Sequence, residues 1–212
     1  KGFQGDYIGA SDHILVSVKH FAGYGAAEGG RDYDSSDISE ELLQNVYLRP
    51  FHAAEEAGAA TFMSAYMDLN GVPATGNKWL LQDVLRKDWK FSGFVVSDWE
   101  AVKNLETHGF AGSPRDAAVR AASAGVNMEM TSSYYREYLP DAIKKGEFSD
   151  AQLNELVRPI LTMKYRLGLF TQPYADMSKF YRETLSAEQR DAARKAAEQS
   201  GVLLKNDNHT LP

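Results

Sequence analysis

Gly93-Phe-Val-Val-Ser-Asp98-Trp99 joins a short apolar run to a carboxylate and a large aromatic side chain. The run 94–96 is rich in β-branched residues, a composition typical of a strand buried on both faces. In α/β folds the chemistry lies at the carboxyl ends of parallel strands. Asp98 is therefore a candidate functional residue. The alternative is that Asp98 caps the helix that follows, because Asp is a favoured N-cap residue.

Strands and helices alternate along the chain on both sides of this stretch. The predicted strands are 14–21, 59–66, 94–96 and 125–130, and each is followed by an amphipathic segment. Such alternation implies parallel strands joined by right-handed crossovers. Four such units in about 160 residues form half of an eight-fold barrel or a small doubly wound sheet.

Helix signals separate these strands. Ser39 and the Ser113-Pro114 pair are typical of helix starts, and Asn70-Gly71 indicates a turn. Ser149 and Gln152 predict a capping box for a long helix that reaches residue 167. Prolines inside predicted helices indicate an end or a kink, and they occur at two positions, Pro50 and Pro159.

The C-terminal part of the sequence has a different character. Residues 173–185, irregular from 174 to 184, are predicted to be a linker between a first domain (1–172) and a second (186–212). Ser186 and Gln189 predict a capped helix that ends at Ser200. The apolar run 202–206 is expected to be a strand. Both ends of the sequence look cut, so a fragment of a longer protein is expected.

Composition excludes several function classes. The net charge is −6, from 23 basic and 29 acidic residues, and no basic patch points to nucleic acid. Cysteine is absent, so the chain can form neither a disulfide nor a thiolate metal site. No apolar run approaches the roughly 18–20 residues of a membrane helix.

Four local motifs carry little functional weight. The glycine-rich loop 23–30 lacks the spacing of a phosphate-binding loop. The acidic segment 32–37 lacks the glycine and the closing glutamate of a calcium loop, and a solvated loop is expected there. Ser97 is not in a G-x-S-x-G elbow. Asn208-His-Thr210 fits a glycosylation sequon, but so short a pattern often arises by chance.

The ends of the four predicted strands share one edge of the sheet. Together they present cationic donors, a tyrosine, a carboxylate and an aromatic ring, which suit a neutral polyhydroxylated ligand such as a sugar. The first strand ends in Lys19 and His20, and the second in residues 63–66, which include Tyr66. The third ends in Asp98 and Trp99, and the fourth in residues 127–130. Glu100 and His108 follow Asp98 in sequence, and a solvated helix face is expected for both.

Four motifs in order resemble glycoside hydrolase family 3, in its bacterial β-glucosidase and β-xylosidase branch. They are K-H-F-A-G-Y-G at 19–25, M-S-A-Y-M-D-L-N-G at 63–71, G-F-V-V-S-D-W at 93–99 and V-L-L-K-N-D at 202–207. The resemblance implies an α/β fold: the later half of a (β/α)8 barrel, a linker, and the start of an α/β sandwich domain.

The resemblance also implies roles for site residues. Asp98 matches the nucleophile of a retaining hydrolase, and Lys19 and His20 match residues that hold sugar hydroxyls. Met63 lines the same pocket, Tyr66 lies beside the nucleophile, and Trp99 stacks on the sugar. Lys19 and Tyr66 are the expected donors that keep Asp98 ionised.

Several points depart from the family pattern or lie outside the chain. The acid/base glutamate of this branch is expected beyond residue 212, and Glu28 and Glu129 are the nearby but unpreferred substitutes. Asn127 stands where many members have aspartate. Tyr24 stands where the β-N-acetylglucosaminidase branch has its acid/base histidine, which argues against amino-sugar substrates.

The resulting prediction is an exo-acting β-glucosidase that uses no metal and no organic cofactor. Its partners are a β-linked oligosaccharide or aryl β-glucoside, the missing barrel half and the sandwich domain, with a homodimer left open. Neither nucleic acid nor a membrane is expected as a partner, and the expected location is periplasmic or secreted. The alternatives are a β-xylosidase and a non-catalytic carbohydrate-binding half-barrel.

Overall fold

The structure is a computed structural model, and it describes residues 1–9 and 13–209. The chain divides into two compact units, Lys1–Phe170 and Thr171–Pro212. Among the described residues, all of the strands belong to the first unit.

A four-stranded parallel sheet organises the first unit. Its strands are β1 (Ser17–Phe21), β2 (Thr61–Ser64), β5 (Phe94–Trp99) and β6 (Met128–Met130), in the spatial order β1-β2-β5-β6. All three neighbouring pairs are parallel. The sheet confirms the α/β architecture that the alternating sequence pattern predicted.

The strand bounds differ from the predicted ones. Three strands are shorter than their predicted apolar runs, because a strand also needs backbone pairing with a neighbouring strand. Ile14, for example, belongs to the first run but lies ahead of β1 and is largely exposed. β5 is longer than predicted and includes both Asp98 and Trp99. Its four central residues are buried, as the prediction of a strand covered on both faces requires.

Helices and helical turns connect the strands of the first unit. Most begin at the residues that the sequence indicated: Ser39, Ser113 and Ser149 each accept a hydrogen bond from a backbone N–H in the first turn. The segments are α1 (Glu40–Leu42), a π-helical segment (Leu43–Tyr47), α2 (Arg49–Glu56), a second π-helical segment (Trp79–Asp88), α3 (Ala101–Thr107), α4 (Pro114–Ala124), α5 (Tyr134–Lys144) and α6 (Asp150–Arg166).

The helical segment after Ser39 does not bury one regular apolar face. Leu43 is buried, whereas Leu42 and Val46 are 45% and 54% exposed. The helix changes to π-helical geometry at Leu43, which rotates the side chains out of the simple 3.6-residue period. Pro50 lies in the first turn of α2, where its missing N–H costs no hydrogen bond.

A two-stranded hairpin follows β2. It pairs β3 (Asp68–Leu69) with β4 (Val72–Pro73) through the predicted Asn70-Gly71 turn. Both turn residues have positive φ, 52° and 81°, the conformation of the tight hairpin turn that favours Asn-Gly. The turn therefore forms for the reason that the sequence suggested.

The core of the first unit lies between the sheet and the helices on its outer side. Phe21, Phe62 and Val95, from three neighbouring strands, are fully buried in it together with Leu80 and Leu85. Burying a side chain of this size contributes about 1.5–3 kcal/mol relative to leaving it exposed. This packing fixes the strands that carry the site residues.

The second unit is helical in its described residues. α7 (Met177–Glu183) occupies most of the segment that was predicted to be irregular, so that prediction was wrong. The side chain of Asp176 starts α7 by accepting from the Ser178 N–H, a cap that the prediction overlooked.

α8 (Ala187–Ser200) begins at Ser186 as predicted, since Ser186 accepts from the Gln189 N–H. The run 202–206 is not a strand, and the described part of the second unit contains no strand with which it could pair. Thr210, the last residue of the sequon, lies outside the described residues.

Candidate active site

Asp98 lies near the carboxyl end of β5 and is 7% exposed. Its Oδ1 accepts a hydrogen bond from the Trp99 N–H at 2.7 Å. Its Oδ2 is shielded from solvent and accepts no aligned hydrogen bond. A buried carboxylate oxygen without such a donor costs free energy, so its retention suggests a functional use.

The helix-cap alternative for Asp98 is wrong. α3 begins three residues later, its N-cap is Glu100, and no side chain forms the cap hydrogen bond. The Asp98 carboxylate belongs to the strand and lies at the carboxyl edge of the sheet.

His20 is the basic side chain nearest to Asp98. The two atoms His20 Nε2 and Asp98 Oδ2 lie 3.2 Å apart, without the alignment of a good hydrogen bond. Burial, reinforced by the charge of Lys19, lowers the pKa of His20. Although Asp98 opposes that shift, the imidazole is favoured in its neutral form.

The Tyr66 hydroxyl faces the same carboxylate. Burial, followed by the hydrogen bond and the negative charge of Asp98, raises the pKa of Tyr66. The raised pKa keeps the phenol protonated at neutral pH, so its hydroxyl can donate to Asp98. Tyr66 was expected beside Asp98, and the structure brings the two together.

The remaining predicted site residues surround this group. Met63 pairs in register with Val96, and the two-residue period places Met63 on the same face as Asp98. Trp99 is 60% exposed at the strand end. Lys19 is exposed and borders a cavity of about 630 Å³ together with His20.

One expected donor is not in place. Among residues 1–9 and 13–209 the structure contains no ion pair between Lys19 and Asp98, and His20 takes that position instead. Along β1, Lys19 is exposed whereas His20 is half-buried, so the histidine is the more enclosed of the two neighbours.

Three further aromatic and acidic residues join the site, and the sequence reasoning missed them. Tyr24 packs edge-on against His20, with ring centroids 5.3 Å apart, and its hydroxyl donates to the Asp32 carboxylate. Burial and that hydrogen bond raise the pKa of Tyr24. Tyr33 packs on Tyr66 at 4.4 Å. The Asp-Tyr-Asp pattern was assigned to a solvated loop, and only the fold shows that it returns to the site.

Asn127 lies at the opposite end of the sheet from Asp98, so its placement on the ligand edge was wrong. Its Oδ1 accepts from the Val95 N–H at 2.8 Å and from Arg86 Nη2 at 2.6 Å, and its Nδ2 donates to Leu156 O at 2.8 Å. Burial lowers the pKa of Arg86. Asn127 therefore joins β5 to two helical segments, a structural role.

Glu129 and His108 also have defined partners. The Glu129 carboxylate accepts from the N–H groups of Tyr134 and Tyr135, at 2.9 Å each, and so closes the start of α5. His108 was expected on a solvated helix face, and that prediction was wrong, because its Nδ1 contacts Asp68 Oδ1 at 2.9 Å. Glu100, the other residue in that expectation, pairs with Lys103 in a part-exposed contact.

Metal sites and membrane spans are not found in the described residues. Among residues 1–9 and 13–209, no cluster of three or more His, Cys, Asp or Glu side chains has the arrangement of a metal site. None of the described helices combines the length and the apolar character that crossing a bilayer requires.

Comparison with known proteins decides the family. Residues 1–163 match the glycosyl hydrolase family 3 N-terminal domain. The chain belongs to glycoside hydrolase family 3. The four-stranded parallel sheet is thus part of the barrel-like N-terminal domain of this family, as the resemblance implied.

The relatives of this family 3 chain are glycosidases by name. It is 43% identical to the periplasmic β-glucosidase of Salmonella typhimurium, covering all of this chain and 28% of the relative. It is 39% identical to a β-xylosidase of Formosa agariphila, covering 95% of this chain and 29% of the relative. The chain therefore spans less than a third of these relatives.

A solved structure has the same backbone arrangement. The β-glucosidase of Listeria innocua superposes with a TM-score of 0.92 at 40% identity, over all of this chain and 30% of that protein. That protein has also been solved in complex with glucose.

Proposed function

We propose that this chain is the nucleophile-bearing part of a longer, retaining exo-β-glycosidase that removes terminal non-reducing β-D-glucosyl residues. The observation that carries the proposal is the buried Asp98 Oδ2, which accepts no aligned hydrogen bond and lies 3.2 Å from His20 Nε2, on a carboxylate that Tyr66 also faces. The names of the family 3 relatives support the same activity.

In the first step, Asp98 Oδ2 attacks the anomeric carbon and the bond from that carbon to the leaving oxygen breaks. A second carboxyl group protonates the leaving oxygen, and the product is a covalent glycosyl-enzyme ester. In retaining enzymes the two carboxyl groups lie about 5–5.5 Å apart. Water, deprotonated by the second group, then attacks the same carbon and releases Asp98.

We assign the second carboxyl group to a part of the protein outside this chain. Glu129, one of the two alternative candidates for this group, accepts hydrogen bonds from two backbone N–H groups at the start of α5. Glu28 lies in the loop after β1, in a short helical turn of its own.

The surrounding residues are given these roles. Tyr66 presents its hydroxyl to the Asp98 carboxylate. Neutral His20 and charged Lys19 hold sugar hydroxyls, Met63 lines the pocket, and exposed Trp99 stacks on the apolar face of the sugar. This chemistry needs no metal or organic cofactor, since the ester bond is made by the carboxylate itself.

A β-xylosidase is the second candidate, because the Formosa agariphila relative has that name. A pentose lacks the hydroxymethyl group of glucose, so the two activities differ in one small contact of the sugar pocket. The ratio of kcat/KM for aryl β-glucoside and aryl β-xyloside separates them. We propose a periplasmic location on the name of the Salmonella typhimurium relative.

The test uses the full-length protein that contains this chain. In the Asp98→Ala variant, hydrolysis of 2,4-dinitrophenyl β-glucoside should fall by roughly three orders of magnitude or more. Added azide should restore turnover and give the α-glucosyl azide, because the small anion enters from the face that Asp98 vacated.

Asp141→Ala is the matched control, since Asp141 is a part-exposed carboxylate that pairs only with surface cations. This variant should retain parental activity. Normal hydrolysis by Asp98→Ala, or rescue that yields only the β-azide, would refute the role of Asp98.

A further inference from the structure

Asp68 and His108 form a contact that the proposed reaction does not use. Asp68 Oδ1 is shielded from solvent and, like Asp98 Oδ2, accepts no aligned hydrogen bond, and His108 Nδ1 lies 2.9 Å from it. The side chains are 22% and 12% exposed, respectively. Such a pair is shielded from solvent and salt far more than an exposed ion pair.

The contact joins two segments that carry site residues. Asp68 starts β3, two positions after Tyr66. His108 ends α3, the helix that directly follows Asp98 and Trp99 in sequence. The pair therefore connects the segment of the tyrosine to the segment of the carboxylate that it faces.

Asp68 also connects to the loop after β1. The Asp68 carbonyl accepts from the Ser36 N–H at 2.8 Å, and the Asn70 N–H donates to the Ser36 carbonyl at 3.1 Å. The Asn70 side chain forms hydrogen bonds of 2.7 and 2.8 Å with the backbone of Ile38. This loop carries Tyr33, which packs on Tyr66.

A second contact holds the same two segments together. Phe110 packs so closely on Gly76 that a Cβ at residue 76 would lie 2.6 Å from the ring. The hairpin segment is tied back to β2 by Thr75, whose hydroxyl lies 2.9 Å from that of Ser64. The hairpin is thus held from β2, from the loop after β1 and from α3.

We propose that Asp68 and His108 are positioning residues that hold the Tyr66 hydroxyl against the Asp98 carboxylate. Neither residue is among those that the proposed mechanism assigns to the sugar. Asp68 is the point where three segments meet, and His108 fixes that point to the helix that follows Asp98. The inference rests on the proposed function, because it assigns the pair an effect on the step in which Asp98 attacks.

The pair acts on catalysis through geometry. A displacement of about 1 Å in a reacting or supporting group can cost up to roughly a hundredfold in rate. If the hairpin loses its contact with α3, Tyr66 moves relative to Asp98, while Lys19 and His20, which lie on β1, keep their positions. We therefore expect kcat to fall and KM to stay within about twofold.

The experiment is a set of kinetic cycles on the full-length protein with an aryl β-glucoside. His108→Leu removes the nitrogen, and Asp68→Asn removes the charge with little change of shape. Each should lower kcat about fivefold to twentyfold, and the double variant should lose no more than the larger single effect. Lys103→Ala breaks an exposed pair on the same helix and serves as the control with parental kcat.

The same changes are then made in a Tyr66→Phe background. If the pair acts through the Tyr66 hydroxyl, His108→Leu and Asp68→Asn should each change kcat by less than about twofold there. An equal loss in both backgrounds would overturn the proposal and leave a structural role only. Parental kcat in both single variants would also overturn it.

These outcomes are separable from failure of the proposed function. Loss of activity in Asp98→Ala with unchanged kcat in the pair variants refutes the positioning role alone. Full activity in Asp98→Ala refutes the proposed function itself.

Discussion

A buried polar side chain lies at each end of β5, and the two side chains differ in how fully they are hydrogen-bonded. At the amino end, Asn127 has partners for both amide atoms, in Val95, Arg86 and Leu156. At the carboxyl end, Asp98 keeps one carboxylate oxygen without an aligned donor. A satisfied polar network stabilises the fold, whereas a buried group without a partner costs free energy, which is the difference on which the proposed role of Asp98 rests.

The difference has a practical lesson for interpreting buried polar residues. Both residues are buried, at 7% exposure each, Asp98 within β5 and Asn127 beside it. The two residues differ in the number of hydrogen-bond partners that their side chains have. Substitutions at the two positions can test that difference.

The largest effect is expected from exchanging amide and carboxylate at the two ends. Asp98→Asn should lower kcat/KM by roughly a thousandfold or more and leave the melting temperature unchanged or raised, because the buried charge is removed. Asn127→Asp should retain activity within a fewfold, because it is far from the reacting atoms. Steady-state kinetics and thermal unfolding on the same preparations measure both. Similar kinetic losses in the two variants would remove the contrast.

Truncation of the satisfied network should affect stability most. Asn127→Ala removes the acceptor of the Val95 N–H and of Arg86 Nη2, and the donor to the Leu156 carbonyl, so the free energy of unfolding should fall by about 2–4 kcal/mol. Denaturant unfolding measures the loss. The active fraction that remains folded should have the parental kcat, in contrast to Asp98→Asn. A change in kcat with unchanged stability would contradict the structural role of Asn127.

A smaller kinetic effect is expected for Tyr66→Phe. The variant removes a hydroxyl that faces a charged group, a contact worth roughly 10- to 100-fold in kcat if it persists in the transition state. Tyr138→Phe, a tyrosine that packs on Tyr134 within α5, is the matched control. Equal kinetics in both variants would mean that Tyr66 does not support Asp98.

The smallest effect concerns His20 and pH. The pKa of His20 is lowered from 6.5 by burial and by Lys19. Below pH 6.5, the unfolded chain therefore binds a proton at this residue more readily than the folded chain does. The contribution of His20 to the free energy of unfolding is therefore constant above pH 6.5, and it decreases as the pH falls below that value. His20→Gln should show a smaller drop in melting temperature between about pH 7.5 and 5.5. An identical drop would contradict the lowered pKa.

Much of the first unit could be predicted from local sequence. β-branched runs indicated the strands, and the N-caps at Ser113 and Ser149 form as their sequences suggest. Because the carboxyl ends of parallel strands share one edge, the amino-acid sequence alone was enough to place His20, Tyr66 and Asp98 together.

Other features needed three-dimensional register. Periodicity identifies a strand, but it does not say where pairing begins, so Asn127 was assigned to the wrong end of the sheet. The Tyr24 and Tyr33 contacts arise from a loop without periodic pattern. The Asp68 and His108 contact joins residues 40 positions apart, and no local rule pairs them. The run 202–206 failed as a strand because strands need partners outside local sequence.

The central claim is that Asp98 forms a covalent bond with the sugar. The direct measurement is to incubate the full-length protein with 2,4-dinitrophenyl 2-deoxy-2-fluoro-β-glucoside, digest it with pepsin and sequence the labelled peptide by mass spectrometry. The fluorine slows both steps, and the good leaving group lets the ester accumulate. We predict one fluoroglucosyl group on the peptide that contains Asp98. A label on another carboxylate, or inactivation without any label, would contradict the account.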